Sequence, residues 1–230
     1  MSKIEVLAFD IFGTVVDWHS SICKEIKQNF PDIDSSKFAN AWRAGYKPGI
    51  QEVSSGKIKW ITVDQIHKNI LGQILREFKI DINERKKNDI NHIWHRLKPW
   101  PDSILGMKAL RKKFKIVTLS NGNFSLLSNL SKNAGLQWDL ILSAEMFRSY
   151  KPSPNTYLGV ADIFSLEPHK VMMVATHEDD LMGAKSCGLK TAYVHRKDEY
   201  GLQITKNIND LSRFDIVSND LMDLASKLSY

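Results

Sequence analysis

The sequence predicts a doubly wound α/β protein: a parallel sheet with helices on both faces, interrupted after its first strand by a separate helical block. Three observations predict this. Short apolar runs alternate with helix-period segments through the second half of the chain, which argues for parallel strands joined by crossover helices. The first apolar run, Val6 to Phe9, delivers a carboxylate and a tight turn, Asp10-Ile11-Phe12-Gly13-Thr14. From about residue 18 to 98 the period is helical throughout, and this block stops at Lys98-Pro99-Trp100-Pro101, where two prolines break helix.

Taken in order, the helical block repeats Ile22, Ile26 and Phe30, then Phe38, Trp42 and Tyr46. It continues with Ile66, Ile70, Ile74 and Phe78, then Ile90, Ile93 and Leu97. An insertion placed directly after the strand bearing Asp10 is expected to lie over the sheet edge as a cap. The division is therefore core at 1–16 and 99–230, cap at 17–98. Further strands are predicted at Lys115–Leu119, Leu140–Leu142, Val171–Val174, Thr191–Val194 and Phe214–Val217. Helices are predicted from Leu126 to Ala134, Tyr157 to Phe164, Leu181 to Cys187 and Asp220 to Leu228. Gly135-Leu136 and Gly188-Leu189 act as helix stops.

The 230 residues are 43% apolar, enough for a substantial core. Two distant cysteines, Cys23 and Cys187, form neither a disulfide framework nor a zinc pattern and suit a reducing cytoplasm. The N-terminus is expected to run straight into the first strand without a signal peptide. No apolar run approaches the ~18 residues of a membrane span. The net charge of +6 is scattered rather than clustered, so a small acidic substrate is expected in place of nucleic acid.

Four polar elements are expected at one edge of the sheet: Asp10 to Thr14, Ser120-Asn121-Gly122, Lys151-Pro152, and Thr176-His177-Glu178-Asp179-Asp180. Each alone is ordinary cap, turn or surface chemistry. Their joint order, with a carboxylate first, marks the carboxyl edge where open α/β sheets place their sites. From position alone Asp10 is a nucleophile or a metal ligand.

In that order the motifs resemble the haloacid dehalogenase superfamily, with its Rossmann-like core and inserted cap. Phosphatases of that superfamily carry Asp-x-Asp, whose second acid protonates the leaving group; here that position is Phe12. Alignment on Asp180 also places Ala175-Thr176 where a Gly-Asp pair helps hold magnesium. Both departures argue against metal-assisted phosphoryl transfer. The pattern is instead similar to the type II 2-haloacid dehalogenases, which use Asp-x-Tyr/Phe-Gly-Thr without a metal. Trp42-Arg43 with Tyr46, the segment Gly56 to His67 containing Trp60 and Val63-Asp64, and Ala192 to Arg196 followed by Glu199-Tyr200-Gly201 extend the match.

That resemblance implies hydrolysis of short 2-haloalkanoic acids, (S) enantiomers above all, through an ester on Asp10. No cofactor or metal is expected. Lys151 is implied to keep Asp10 ionised, Thr14 to orient its loop, and Asp180 to activate water. His177 stands where relatives carry Asn, as a neutral hydrogen-bond partner or a sharer of the base role. Ser120, Asn121 and the backbone N–H groups of Ile11 and Phe12 would hold the substrate carboxylate. Arg43 would take the halide. Phe12, Trp18 and Trp60 would line a dry pocket, Tyr157 would support the site, and Asp179 would be a solvated helix-start charge. The resemblance further suggests a homodimer. Two alternatives stay open: a phosphatase or phosphonatase relative, and a catalytically idle member that only binds.

Overall fold

Residues 4–201 and 210–229 are described by a computed structural model. The first strand, β1 (Val6–Phe9), is wholly buried, as four consecutive apolar residues in a central parallel strand must be. A short strand β2 (Val16–Asp17) leads into helices α1 (Trp18–Asn29), α2 (Ser35–Ala44), α3 (Tyr46–Ser54), α4 (Val63–Glu77) and α5 (Glu84–Asn91). A 3-10 turn at His92–Arg96 returns the chain to β3 (Lys98–Pro99). The core then resumes with α6 (Ser103–Leu110), β4 (Lys115–Thr118), α7 (Phe124–Ala134), α8 (Ala144–Phe147), α9 (Pro154–Ile163), β5 (Val171–Ala175), α10 (Glu178–Ser186), β6 (Lys190–Val194), β7 (Ile216–Ser218) and α11 (Leu221–Lys227).

The main sheet is parallel in the order β4-β1-β5-β6-β7. β1, an interior strand between β4 and β5, therefore delivers Asp10 between the loops that follow those two neighbours. Asp10 donates its backbone N–H to Val174 at 3.0 Å, so its side chain leaves the sheet at the last rung of the ladder. Among the described residues, no helix is long and apolar enough to cross a membrane.

The helical block joins the core through β2 and β3, which pair antiparallel with Val16 opposite Pro99 and Asp17 opposite Lys98. Asp17 then caps α1, accepting from the Ser20 N–H at 3.0 Å. A capping box of Thr62 and Gln65 starts α4. Polar contacts hold this helical start to the core. Asn123 Nδ2 donates to the Asp64 carboxylate at 2.9 Å while its Oδ1 accepts the Asp64 N–H at 3.1 Å. The Tyr150 hydroxyl donates to the Ile61 carbonyl at 2.6 Å.

Three details differ from the sequence expectation. Leu140–Leu142 is not a strand: the chain makes only isolated bridges, Val117 with Leu140 and Ser120 with Ser143. The Thr118 hydroxyl takes the place of ladder bonds there, donating to the Leu142 carbonyl at 2.7 Å and accepting its N–H at 2.8 Å. The last strand starts two residues later than expected and ends one later, at Ile216–Ser218. Finally, the Phe38–Trp42–Tyr46 stripe spans two helices that meet at Gly45, where a Cβ would stand 2.7 Å from Ile70 on α4.

Candidate active site

Asp10 is buried at the head of β1, and both of its oxygens are engaged. Thr14 donates to Oδ2 at 2.8 Å, while the Thr14 hydroxyl itself accepts the Thr176 N–H at 3.0 Å. This threonine thus ties the β1 turn to the loop after β5. Lys151 Nζ reaches Oδ1 at 3.1 Å. Burial by itself would raise the Asp10 carboxyl, but the Lys151 ammonium, His177 and Thr14 outweigh it and hold the group well below the usual carboxylate range.

The same ammonium lies 2.5 Å from Asp180 Oδ2, and Tyr157 donates to Oδ1 of that carboxylate at 2.7 Å. Lys151 is held above the normal lysine range, since the two carboxylates outweigh its burial, so it stays charged. Asp180 moves the other way. Burial raises it and the neighbouring Asp10 charge adds to that, against the pull of Lys151. Two carboxylates sharing one ammonium are thereby pushed apart, one permanently ionised and one able to accept a proton.

His177, at the start of α10, bridges two acids. Its Nδ1 is 3.1 Å from Asp10 Oδ2 and its Nε2 is 2.7 Å from Glu199 Oε1. Burial opposes the charge, but Glu199 and the Asp10 contact overcome it and push the imidazole up to about 9. At neutral pH the ring is an imidazolium donating both ways. A charged ring of this kind is a third form, beside the neutral partner and the shared base expected of His177.

From the helical block Arg43 leans over Tyr46 at 4.6 Å and Trp18 at 5.8 Å. The Tyr46 hydroxyl accepts from Asn121 Nδ2 at 2.9 Å, and Asn121 Oδ1 accepts the Lys151 N–H at 2.8 Å, so one amide aligns three loops. These groups enclose a cavity of about 590 Å³, with Asp10 and His177 on its core side and Arg43 and Tyr46 on its cap side. At its wall the exposed pair Lys47–Asp179, 2.7 Å apart, spans α3 and α10. Asp179 is the exposed helix-start charge the sequence suggested, and it is also paired across the two halves.

Of the residues singled out from sequence, Asp10, Arg43, Asn121, Lys151, Tyr157, His177 and Asp180 all face this cavity. Thr14 lies directly beneath Asp10. Trp60 does not face it: the ring stacks on Tyr150 at 4.3 Å, outside the cavity wall, because the α3–α4 connection runs along the docking seam. The Phe12 and Trp18 rings likewise pack into the core around Trp94, at 5.7 and 6.3 Å, and lie behind the lining. Ser120 is fully buried, and its hydroxyl accepts the Gly122 N–H at 3.1 Å. Ile11 offers its backbone; among the described residues, the N–H groups of Ile11 and Phe12 meet no backbone acceptor.

Glu199 and Tyr200 were visible only as part of a terminal motif. The signal that could have found Glu199 is the acidic pair Asp198-Glu199 shortly after the apolar strand β6. Magnesium, which phosphatases of similar architecture use, does not fit these residues: Phe12 and Thr176 supply no carboxylate, and Lys151 stands between Asp10 and Asp180.

A family model for haloacid dehalogenase-like hydrolases matches residues 4–188. The structure of a defluorinating L-2-haloacid dehalogenase superposes with a TM-score of 0.95 at 37% identity, covering 99% of this chain and 96% of that one. A second L-2-haloacid dehalogenase structure gives 0.93 at 36% identity, covering 99% of each chain. The haloacetate dehalogenase of Moraxella sp. (strain B) is 24% identical over 204 residues, 85% of this chain and 88% of that protein. A capped parallel sheet with an aspartate at its head, matched over most of its length, thus belongs to the haloacid dehalogenase-like hydrolases. Within them its place is in the 2-haloacid dehalogenase family.

Proposed function

We propose that this chain hydrolyses the carbon–halogen bond of short 2-haloalkanoic acids, with preference for the (S) enantiomer, giving 2-hydroxy acids. The observation that carries this reading is the pairing of a permanently ionised Asp10 with an apolar Phe12 two residues on. A nucleophile is present, and the acid a phosphate leaving group requires is not. Halide leaves as a stable anion and needs no proton.

In this reading Asp10 attacks the halogen-bearing carbon from behind, inverting it and forming an ester. Arg43, whose guanidinium stays charged in a dry site, receives the halide beside Asn121 and the Tyr46 hydroxyl. The N–H groups of Ile11 and Phe12, with Asn121, hold the substrate carboxylate at the sheet edge. Asp180 deprotonates the water that cleaves the ester, and Tyr157 and Lys151 fix its orientation.

The site's own charges balance: Asp10, Asp180 and Glu199 against Lys151, His177 and Arg43. A monoanionic substrate therefore enters without an unpaired dianion to neutralise, which suits a haloacid better than a phosphate ester. Halide release from (S)-2-chloropropionate in EDTA, faster than from the (R) enantiomer, is the expected result. Turnover of p-nitrophenyl phosphate with magnesium and no halide release would overturn it.

A further inference from the structure

We propose that Glu199 is a positioning residue for the second half of the reaction, acting through His177 on Asp10 Oδ2. This rests on the proposed ester chemistry and assigns its two oxygens. Oδ2 already receives two donors, Thr14 at 2.8 Å and His177 Nδ1 at 3.1 Å. Among the described residues, Oδ1 has the Lys151 ammonium alone. Oδ1 is accordingly the attacking atom, and Oδ2 becomes the carbonyl oxygen of the ester.

When water adds to the Asp10 carboxyl carbon, its proton passes to Asp180 and the carbonyl electron pair moves onto Oδ2. The two donors already aimed at Oδ2 then form an oxyanion site. Collapse breaks the bond from that carbon to Oδ1. The departing alkoxide takes a proton from Lys151, which regains one from Asp180 across their 2.5 Å contact. The proton of the new carboxyl group is released as Asp10 returns to its ionised form.

His177 serves this role only while both ring nitrogens carry protons, and forming the ester removes the Asp10 charge that helps keep them there. Glu199 supplies the remaining charge. It is fully buried, 2.7 Å from His177 Nε2, and it accepts from Trp18 Nε1 at 3.3 Å. The other charged or titratable groups facing His177 are Asp10 from the β1 turn, Asp179 beside it on α10, and Arg43 and Tyr200 around Glu199. Of the two acids in direct contact with the ring, Asp10 and Glu199, only Glu199 is left untouched by the reaction.

The test follows both half-reactions by rapid quench with (S)-2-chloropropionate: halide release for ester formation, and loss of the ester mass from the Asp10 peptide for hydrolysis. In Glu199→Gln, halide release stays within about threefold of wild type. Ester hydrolysis slows on the order of 100-fold, as loss of an oxyanion donor does, the ester accumulates, and the alkaline limb of hydrolysis moves to lower pH. Glu199→Asp recovers part of the rate. Should Glu199→Gln not fold, Glu199→Asp is read for the same split: hydrolysis slowed, halide release within about threefold, and the alkaline limb moved to lower pH. Equal slowing of both steps, or hydrolysis within about twofold of wild type with an unmoved alkaline limb, overturns the assignment. Wild-type protein that releases no halide from any 2-haloacid instead overturns the underlying reading.

Discussion

The Glu199 carboxylate occupies the space that a side chain on Gly13 would fill: a Cβ at Gly13 would stand 2.2 Å from Glu199 Oε1. Gly13 also has φ +86, a conformation that costs any other residue about 1 kcal/mol or more. One glycine therefore both turns the Asp10 loop and admits the acid that pairs with His177. Gly13→Ala is expected to lower stability by about 2–4 kcal/mol in chemical denaturation. It should also lose most hydrolysis, since Glu199 must shift to make room.

The pH dependence has two limbs with different owners. In the proposed mechanism Asp180 is a base only when ionised, and its carboxyl is raised, so the rate is expected to fall as pH drops into that range. Asp10, held low, stays ionised there. His177 is charged below about 9 and loses its proton above it, which sets the alkaline limb. The kcat profile of His177→Asn should lack that alkaline limb.

The same histidine predicts a stability change. A folded value of about 9 against an unfolded value near 6.5 means its pairing contributes fully below pH 6.5 and is lost as pH rises through about 9. The loss is on the order of 3 kcal/mol across that window. Urea denaturation at pH 6 and pH 10 should show a decline of that size in the wild type, absent in His177→Asn.

The Arg43 guanidinium lies over the rings of Tyr46, at 4.6 Å, and Trp18, at 5.8 Å. A lysine keeps the charge but has neither the plane nor the fork, and is more strongly hydrated. Arg43→Lys is expected to lower kcat/KM for 2-chloropropionate by about 10- to 100-fold, roughly 1.4–2.7 kcal/mol of transition-state stabilisation, with thermal stability nearly unchanged. Steady-state halide release and a melting curve check both halves.

Lys47 and Asp179 form a pair at 79% and 60% side-chain exposure. Such a pair contributes little to stability, but it sets the potential where an anionic substrate enters. Lys47→Glu should raise KM severalfold at low salt, with the difference from wild type shrinking at 0.5 M salt as screening shortens the field.

Much of the fold was legible because its signals are local. Val6 to Phe9, the helix stop at Gly135 and the proline break at 99–101 each act through neighbouring residues. Leu140–Leu142 misled because a threonine hydroxyl on β4 replaced strand pairing, which an apolar run cannot reveal. The break at Gly45 depends on Ile70, 25 positions away. In the site, the ordered motifs pointed to Asp10, Lys151 and Asp180, since each ends a strand or opens a helix. The charge state of His177 was not legible, because it is set by Glu199, 22 residues on and brought beneath Gly13 only by the fold. Trp60 was misplaced for the converse reason: a tryptophan near a site motif is indistinguishable in sequence from one stacked along a docking seam.

The central claim is that Asp10 attacks carbon and water attacks Asp10. A single turnover of (S)-2-chloropropionate by excess enzyme in H₂¹⁸O, with mass spectrometry of both the Asp10 peptide and the product, tests it directly. One ¹⁸O is expected in the Asp10 peptide and none in the lactate released in that first turnover. Label in the lactate and none in Asp10 would show that water attacks the substrate carbon itself, and would contradict the claim.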